Sequence, residues 1–277
     1  MILDGKKVRD ELLANYKEKI KKENLNIKLA IILVGDNEAS KIYIKNKERA
    51  CAYVGIAVEK YLLAADTSES VLISLIEKLN NDTSVTGIIL QSPVPGHIDF
   101  DKCSGLIDSK KDVDGFTKEN IYNLYLGKET ILPCTVKGII KLIEYYNIPI
   151  AGSNVVIVGR GNIVGHPLSL ALLNMDATVT VAHSKTKNLK EITTSADILI
   201  AATGVAHLIK KDMVKVGSVV IDVGVSRIDG HIFGDVDFDD VKDVALWITP
   251  NPGGVGPMTV AMIIDNLLMM KGWEDNG

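Results

Sequence analysis

Apolar and polar positions alternate along this chain in blocks that predict strands and helices in turn. Apolar runs that are typical of buried strands occupy residues 29–34, 56–63 and 85–90. Helical periodicity of the apolar positions separates these runs at residues 39–54 and 70–79. Strands that alternate with helices in this order predict a parallel sheet with helical crossovers in the first half of the chain.

The second half of the chain shows the same alternation. Strands are predicted at residues 155–158, 178–182, 198–202, 219–223 and 247–249. Helices are predicted at residues 136–146 and 257–271, and a loop rich in Gly, Asp and Lys at residues 109–118 marks a boundary. The pattern therefore predicts an α/β fold of two parallel-sheet domains, residues 1–118 and 119–277, with the last helix packing back on the first domain.

Composition narrows the class of protein. The 277 residues, 47% hydrophobic and 24% charged, leave room for one large or two ordinary globular domains, and no apolar stretch approaches the length of a membrane span. The net charge of −4 and the lack of basic runs interleaved with aromatic residues argue against a nucleic-acid partner. The first segment lacks signal-peptide features and the cysteines lack paired spacing, which favours the cytoplasm, and histidines without ligand spacing predict no structural metal.

A glycine-rich turn follows the strand predicted at residues 155–158. Gly159, Gly161 and Gly165 form the pattern G-x-G-x-x-x-G between this strand and an apolar helical pattern. Such a turn places backbone N–H groups and a helix N-terminus against a phosphate, which is typical of Rossmann-type dinucleotide-binding domains. The alternative is that the glycines only permit a tight turn and close packing.

The strand at residues 178–182 bears on which dinucleotide binds. NAD-binding folds commonly carry an acidic residue after this strand for the ribose hydroxyl, but His183, Ser184 and Lys185 stand here instead. Ser184 and Lys185, with Arg160 in the glycine turn, offer donors and positive charge that suit the 2′-phosphate of NADP. Lys185 could equally be a solvated loop residue.

A lysine in the first half of the chain lies on a predicted apolar face. The face is formed by residues at helical spacing, Ala39, Tyr43, Ala50 and Val54. Lys47 falls inside it, one turn beyond Tyr43. A lysine there must be paired, extended to solvent or desolvated, and burial lowers the pKa of a lysine toward values that are useful in proton transfer.

Two polar features lie near the end of the first predicted domain. Gln91 directly follows the apolar run at residues 85–90, at the carboxyl end of a strand where parallel sheets bind ligands, although it could simply begin a loop. Asp112 and Asp114 alternate before Gly115, an arrangement that is usual in turns. Neither feature identifies a function by itself.

Taken in order, these motifs resemble those of the bifunctional methylenetetrahydrofolate dehydrogenase/methenyltetrahydrofolate cyclohydrolase family, the FolD family. The matching segments are G-D-N-E-A-S at 35–40 with Tyr43 and Lys47, Q-S-P-V-P at 91–95, K-D-V-D-G-F at 111–116, P-C-T at 133–135, the turn at Gly159 and P-G-G-V-G-P-M-T at 252–259. The resemblance runs nearly from end to end of the chain, and six ordered motifs are far more specific than any one of them.

The resemblance implies two activities in one cleft between the two domains. The dehydrogenase would transfer a hydride from 5,10-methylenetetrahydrofolate to NADP. The cyclohydrolase would hydrate the resulting 5,10-methenyl cation to 10-formyltetrahydrofolate. The protein would then be an oxidoreductase and hydrolase of one-carbon metabolism and purine biosynthesis, with tetrahydrofolate derivatives as substrates. A homodimer is also implied.

The resemblance further implies roles for individual residues. Lys47 would transfer the proton in hydration, with Gln91 as the hydrogen-bond partner that helps to hold it neutral. Tyr43 would position the folate ring, and Asp114 would bind the amino-pyrimidine edge of the pterin. Further substrate contacts would come from Ser40, Pro252, Gly253 and Gly254. Cofactor contacts would come from Gly159, Arg160, Gly161, Ile163, Ser184, Val225 and Thr259.

Three alternatives stay open at this point. Family members usually carry Ser where Gly161 stands, so NAD is the alternative to NADP. Tyr43-x-x-x-Lys47 also resembles the catalytic pair of short-chain dehydrogenases, but that pair follows the glycine-rich turn, whereas this one precedes it. A non-catalytic folate- or nucleotide-binding protein could also retain the same scaffold.

Overall fold

The computed structural model of this chain describes residues 1–272, which form two compact units. The five-stranded unit combines Met1–Asp10 with Thr135–Thr259. The three-stranded unit combines Glu11–Cys134 with the chain from Val260 onward. Each unit is built on a sheet whose strands all run parallel, so the predicted α/β fold with two parallel sheets is confirmed.

Within residues 1–272 the structure contains ten strands and ten α-helices. The strands are β1 (Lys28–Val34), β2 (Ala57–Leu63), β3 (Gly87–Leu90), β4 (Asn154–Val158), β5 (Thr178–Ala182), β6 (Ile198–Ala201), β7 (Val219–Asp222), β8 (Ser226–Ile228), β9 (His231–Phe233) and β10 (Trp247–Ile248). The helices are α1 (Gly5–Lys22), α2 (Glu38–Val54), α3 (Glu69–Asn81), α4 (Phe100–Ser104), α5 (Lys118–Tyr125), α6 (Cys134–Tyr145), α7 (Gly165–Leu173), α8 (Leu189–Thr193), α9 (Phe238–Val241) and α10 (Val255–Met269), and a short 3₁₀ helix covers Lys211–Met213. No helix within residues 1–272 is both long enough and apolar enough to cross a membrane.

Helix α1 has no counterpart among the elements predicted from the sequence. Its buried residues are Val8, Leu13, Tyr16 and Ile20. These positions lie on one side of the helix, so a helical signal is present in the sequence. The signal is weak because the first two of these residues, Val8 and Leu13, lie five positions apart, a spacing that does not by itself indicate a helix.

The three-stranded sheet has the order β2-β1-β3. β1 lies in the centre, and every residue of it after Lys28 is buried. β2 lies at the edge, where all of its residues are exposed or half-buried. The prediction at residues 56–63 is therefore right about the strand and wrong about its burial, because an edge strand pairs on one side only and can leave a face in water.

Helix α2 connects β1 with β2 and has a clear signal at each end. The Asn37 side chain accepts a hydrogen bond from Ser40 N at 3.0 Å, which satisfies one free amide of the first turn. The helix ends at Gly55, whose φ of 90° lies in the left-handed region that favours glycine. These two signals place α2 close to the predicted range of 39–54.

The five-stranded sheet has the order β10-β7-β6-β4-β5. β4 is the first of these strands in the sequence, and it pairs with β5 on one side and with β6 on the other. In open parallel sheets, ligands bind beyond the carboxyl ends of the strands at such a switch point. Because the glycine turn at Gly159 follows β4 directly, the Rossmann-type arrangement predicted for this part of the chain is confirmed.

One boundary between the two compact units lies between Cys134 and Thr135. The segment before this point stays with the three-stranded unit, where the Asn120 side chain donates to Asp112 Oδ2 at 3.0 Å. Most of α10 belongs to the same unit. The functional division of the chain at residue 118 stays a prediction.

Candidate active site and nucleotide-binding turn

In the three-stranded unit, the carboxyl end of β3 lies beside the first turns of α2. Gln91 directly follows β3, and its main-chain N–H donates to Ile32 O in β1 at 2.9 Å, so the sheet fixes its position. The buried Ser40 hydroxyl donates to Ser92 O at 3.2 Å, which ties the start of α2 to the residue after Gln91. Two of the predicted site residues, Ser40 and Gln91, are thus joined through one loop.

Lys47 and Gln91 form a hydrogen-bonded pair. Lys47 Nζ donates to Gln91 Oε1 at 3.1 Å, and Gln91 Nε2 donates to Ser92 O at 2.8 Å. The second bond orients the amide so that its oxygen faces the lysine. Among the residues that the structure describes, no carboxylate lies within salt-bridge distance of Lys47. The partner of Lys47 Nζ is therefore a neutral amide oxygen and not a carboxylate oxygen.

The buried face of α2 differs in part from the predicted one. Its members are Ser40, Ile44, Ala50, Cys51 and Val54. Ala39 and Tyr43 belong to the predicted stripe but are exposed, Tyr43 to 53%, so this part of the prediction is wrong. The face that turns inward starts at Ser40, one residue after Ala39. Half-buried Lys47 lies between Ile44 and Cys51 at helical spacing, so it is on the inward side as predicted.

The thiol of Cys51 lies near Lys47 but is not a candidate nucleophile. Burial raises the pKa of Cys51 to about 12, although the charge of Lys47 opposes this shift. The thiol therefore stays protonated at neutral pH, and a protonated thiol is a poor nucleophile.

Asp114 supplies a half-buried carboxylate near Lys47. Loss of solvent raises the pKa of this carboxyl above its ordinary value, the charge of Lys47 lowers it, and the charge of Asp112 raises it further. No hydrogen-bond donor within residues 1–272 contacts the Asp114 carboxylate. Both of its oxygens can therefore accept hydrogen bonds from a ligand, and two parallel donors suit them best.

In the five-stranded unit, close backbone contacts require two of the three glycines in the turn after β4. Gly159 has a φ of 125°, and a Cβ there would lie 2.2 Å from Ala202 O. A Cβ on Gly165, where α7 begins, would lie 2.3 Å from Gly159 O. Gly161 is exposed, and nothing lies within 4 Å of an added Cβ. Close packing thus explains Gly159 and Gly165, whereas Gly161 leaves open space beside the turn.

Polar residues around this turn fit a dinucleotide that carries an extra phosphate. Val158 pairs with Ala182 across β4 and β5, so the loops that carry Arg160 and Ser184 leave the same edge of the sheet. Arg160 and Ser184 are both exposed. The loop after β5 has the sequence H-S-K-T-K, with two lysines and no carboxylate that would repel a 2′-phosphate.

The proline and glycines of the P-G-G segment differ in accessibility. A Cβ on Gly5 would lie 1.8 Å from Gly254 O, and Lys6 N donates to Gly253 O at 3.2 Å. Gly253 and Gly254 are accordingly buried, whereas Pro252 is exposed. The fold already uses the main chain of the two glycines, and Pro252 is the part of the segment that a ligand can reach.

The remaining predicted cofactor contacts also differ in exposure. Ile163 and Val225 are exposed by 64% and 53%, and they offer apolar surface on two loops of the five-stranded unit. Thr259 is half-buried, and its hydroxyl lies 3.2 Å from the hydroxyl of Thr135. The Thr259 hydroxyl also donates to Val255 O at 3.4 Å, so its polar group already has partners within the protein.

Two domain models of a single protein family match this chain. The catalytic domain of tetrahydrofolate dehydrogenase/cyclohydrolase matches residues 3–114. The NAD(P)-binding domain of tetrahydrofolate dehydrogenase/cyclohydrolase matches residues 133–274. Together the two matches account for most of the chain.

Individual relatives agree with this match. Bifunctional protein FolD of Lactobacillus helveticus (strain DPC 4571) is 48% identical over 272 residues, which cover 97% of this chain and 96% of the relative. The crystal structure of FolD from Campylobacter jejuni has a TM-score of 0.96 at 45% identity and covers 98% of both chains. FolD of Trypanosoma brucei, solved with NADP and an inhibitor, has a TM-score of 0.92 at 32% identity and covers 98% of this chain and 96% of its own. The chain therefore belongs to the tetrahydrofolate dehydrogenase/cyclohydrolase family.

Proposed function

We propose that this chain oxidises 5,10-methylenetetrahydrofolate with NADP and hydrates the 5,10-methenyl product to 10-formyltetrahydrofolate, with Lys47 as the proton-transfer residue. Membership of the family supports both activities. The observation that carries the role of Lys47 is its 3.1 Å hydrogen bond to the neutral amide of Gln91, on the inward side of α2. Asp114, whose pKa responds to the charge of Lys47, supplies a carboxylate nearby.

The folate is proposed to bind through its pterin ring. The amino group and the ring N–H of the pterin are parallel donors, and the two oxygens of Asp114 match them. The exposed ring of Tyr43 would position the folate by contact with the flat heterocycle. The Ser40 hydroxyl already donates a hydrogen bond to Ser92 O, so the proposed contribution of Ser40 is to hold the loop that forms part of the site. Pro252 offers a further apolar contact.

Hydration requires a group that can both accept and deliver protons. The neutral amine of Lys47 takes a proton from water as the water oxygen bonds to the methenyl carbon. The resulting ammonium delivers a proton to N5 as the bond between N5 and this carbon breaks. The amine then takes the hydroxyl proton as the formyl C=O bond forms on N10, and it releases this proton to solvent. Gln91, which Ser92 O orients, holds Lys47 Nζ in place during these transfers.

The oxidation depends on the orientation of the folate. NADP, when bound, accepts the hydride that leaves the methylene carbon. Asp114 and Tyr43 fix the folate so that this carbon has one orientation, which removes the entropic cost of finding it during the reaction. The methenyl product carries a positive charge, and a positive charge disfavours an ammonium beside it. The oxidation thus prepares the neutral amine that hydration needs.

NADP is proposed as the preferred cofactor over NAD. Arg160 and Ser184 would bind the 2′-phosphate, and Lys185 adds positive charge to the same loop. The backbone of Gly159 and Gly161 and the start of α7 would contact the pyrophosphate. Ile163, Val225 and Thr259 are proposed to line the rest of the cofactor site.

A homodimer and a cytoplasmic location complete the proposal. β5 lies at the edge of its sheet, and within residues 1–272 it pairs with β4 alone, so its outer edge can accept a second copy of the chain. The three cysteines lie within residues 1–272, are buried and form no disulfide bond, which fits a reducing compartment. Light scattering of the purified protein tests the dimer, and cell fractionation tests the location.

A short-chain dehydrogenase and a non-catalytic binding protein are the rival functions. Tyr43 and Lys47 lie in the three-stranded unit, whereas the glycine turn lies in the five-stranded unit, and this separation argues against a short-chain dehydrogenase. A non-catalytic protein would bind folate and NADP without turnover.

Assays of the two reactions on the purified chain decide between these functions. With methylenetetrahydrofolate and NADP, the chain is expected to form NADPH, and a reaction without folate gives the baseline. With methenyltetrahydrofolate alone, it is expected to accelerate the loss of methenyl absorbance above the rate in buffer. Binding of both ligands without either conversion would support the non-catalytic function instead.

A further inference from the structure

The carboxylate of Asp112 lies buried in the turn that carries Asp114. It is 3% exposed and accepts three hydrogen bonds. The donors are Gly115 N at 3.0 Å, Thr117 N at 2.7 Å and Asn120 Nδ2 at 3.0 Å. The sequence pattern indicates only that Asp112 forms a turn. A buried carboxylate with three donors is a far stronger constraint on the main chain than a solvated turn residue.

These hydrogen bonds fix the chain on the carboxyl side of Asp114. Gly115 follows Asp114 directly and has a φ of 72°, and a Cβ there would lie 2.7 Å from Ile131 O. The bond from Gly115 N to Asp112 Oδ1 and the bond from Thr117 N to Asp112 Oδ2 close the turn around this glycine. The backbone after Asp114 therefore has little freedom.

The chain on the amino side of Asp114 is fixed by packing and by the sheet. Val113 is fully buried, and a Cβ on Gly87 in β3 would lie 2.3 Å from its Cγ2. Ile88 N donates to Lys111 O at 2.7 Å, so the segment runs in register with β3. Asp114 is thus held between two fixed neighbours, while its own carboxylate has no donor within residues 1–272.

A second layer of hydrogen bonds holds the Asn120 side chain against Asp112. Asn120 Nδ2 also donates to Ser109 O at 3.1 Å, and Thr130 Oγ1 donates to Asn120 Oδ1 at 2.9 Å. The Asn120 amide is therefore oriented with its N–H group toward Asp112. This chain of bonds from Thr130 to Asn120 to Asp112 ends at the turn of Asp114.

We propose that Asp112 is a positioning residue for folate binding: its buried carboxylate fixes the main chain that carries Asp114 and so sets the direction in which the Asp114 carboxylate meets the pterin. The inference rests on the proposed role of Asp114. A two-point contact between a carboxylate and two parallel donors requires that both hydrogen bonds lie in one plane. If the main chain that carries Asp114 moves by a fraction of an ångström, one of the two hydrogen bonds is lost.

The first test is Asp112→Asn. Asparagine keeps the shape and one acceptor oxygen but places an NH₂ group against an N–H donor, so at least one of the three bonds is lost. We expect the KM for methylenetetrahydrofolate and the KM for methenyltetrahydrofolate to rise together by about 10- to 100-fold, as for one lost hydrogen bond to a charged group. The KM for NADP is expected to stay within about twofold of the parent, because Asp112 holds only the turn that contacts the pterin. The kcat for hydride transfer is expected to fall with the rise in folate KM, because the pterin contact also orients the methylene carbon.

Asp82→Asn is the matched control. Asp82 also accepts from a main-chain N–H and a side chain, Ser84 N at 2.8 Å and Ser84 Oγ at 2.6 Å, in a turn of the same unit. Its side chain does not bond to the turn of Asp114, so its folate KM is expected to equal that of the parent. A rise in KM of the same size in Asp82→Asn would show that Asp112→Asn acts by general loosening of the unit and would overturn the inference.

A double-mutant cycle separates positioning through Asp114 from any other effect. If Asp112 acts through Asp114, the double variant Asp112→Asn/Asp114→Asn is expected to have the folate KM of Asp114→Asn alone. Multiplication of the two single effects, or an unchanged KM in Asp112→Asn beside a raised KM in Asp114→Asn, overturns the inference and leaves the proposed function intact. An unchanged KM in Asp114→Asn overturns the proposed role of Asp114 and the inference with it.

Thr130→Val provides the test if Asp112→Asn does not fold. This variant removes the hydroxyl that donates to Asn120 Oδ1 and Asn120 O, and it keeps the shape of the side chain. Its folate KM is expected to rise about twofold in the parent and not at all in the Asp114→Asn background. An equal rise in both backgrounds contradicts a route through Asp114.

Discussion

At the scale of single residues, Lys47 differs from Lys60, another lysine of its unit, in the kind of partner that it contacts. Lys60 Nζ lies 2.7 Å from the carboxylate oxygen Glu48 Oε1. Lys47 Nζ meets the amide oxygen of Gln91 instead. The proposed role in hydration requires Lys47 to accept and deliver protons.

The first prediction at this scale is that Lys47→Met abolishes hydration. Methionine keeps most of the side-chain volume and removes the amine, so we expect the rate of methenyltetrahydrofolate hydration to fall by about 100-fold or more, as for loss of an acid/base group. Hydride transfer to NADP is expected to stay measurable. Stopped-flow absorbance of the methenyl group and of NADPH follows the two reactions separately.

Lys41→Met is the control for this prediction. Lys41 lies on the exposed side of the same helix, where its Nζ is 2.9 Å from Glu38 Oε1. Both reactions are expected to proceed at the parental rate in this variant. Hydration at the parental rate in Lys47→Met would assign the proton transfer to another group.

The second prediction concerns the pH dependence of folate binding. Loss of solvent raises the pKa of Asp114, so this carboxylate takes up a proton at a pH above about 4, the ordinary value for an aspartate. Protonation removes a charged acceptor, and kcat/KM for methylenetetrahydrofolate is expected to fall as the pH decreases through this raised pKa. Asp114→Asn cannot take up this proton, and its lower kcat/KM is expected to lack the acidic decrease. An identical acidic decrease in both proteins would place it on a different group.

At the scale of elements, unbroken apolar runs predict the central strands well because these strands are buried on both faces. β1 and β4 were predictable for this reason. The exposure of β2 was not predictable, because its apolar content does not reveal that it lies at an edge of the sheet. The same limit applies to α2. Ala39 and Ser40 are adjacent in this helix, and the pattern of apolar residues does not show which of the two side chains faces inward; the cap at Asn37 fixes this.

The positions of candidate site residues were predictable where the residue types and their spacing form a recognisable motif, as for Lys47 after Tyr43 or for the glycine turn. It was not predictable where the role depends on contacts between distant positions. Asp112 gives no sequence signal beyond its place before Asp114, because its donors come from the turn itself and from Asn120. Gly161 could not be separated from its neighbouring glycines before the space around each one was known.

The third prediction uses this difference between glycines of one turn. Gly161→Ser places its side chain in open space, so we expect unchanged thermal stability and a KM for NADP that is equal to or about two- to threefold below that of the parent, since a hydroxyl adds one phosphate donor. Gly165→Ala places a Cβ 2.3 Å from Gly159 O and is expected to lose NADP binding. Thermal melts and NADP titrations measure both variants. Equal losses of NADP binding in Gly161→Ser and Gly165→Ala would contradict the conclusion that Gly161, unlike Gly165, has open space beside it.

At the scale of the whole molecule, the residues that are proposed to bind folate and those that are proposed to bind NADP lie in separate compact units. Lys47, Gln91 and Asp114 belong to the three-stranded unit, and Arg160 and Ser184 belong to the five-stranded unit. Substitutions in one unit are therefore expected to affect one ligand first. The two activities should be separable by mutation although one chain carries both.

The fourth prediction is that Arg160→Ala combined with Ser184→Ala weakens NADP far more than NAD. Loss of charged hydrogen bonds to the 2′-phosphate is expected to raise the KM for NADP by about 10- to 100-fold, whereas the KM for NAD should change by about twofold or less. Hydration of methenyltetrahydrofolate, which needs neither residue, is expected at the parental rate. Initial rates with both cofactors measure the effect. Equal losses for NADP and NAD would remove the basis for the proposed preference.

The acceptor that orients the Gln91 amide is a main-chain oxygen, Ser92 O, and the Ser40 hydroxyl shares it. Every amino acid brings the same oxygen to position 92, so a codon change there leaves the acceptor in place. Evolution can therefore remodel the side chain at this position, and with it the shape of the surrounding surface, without disturbing the alignment of the amide with the lysine.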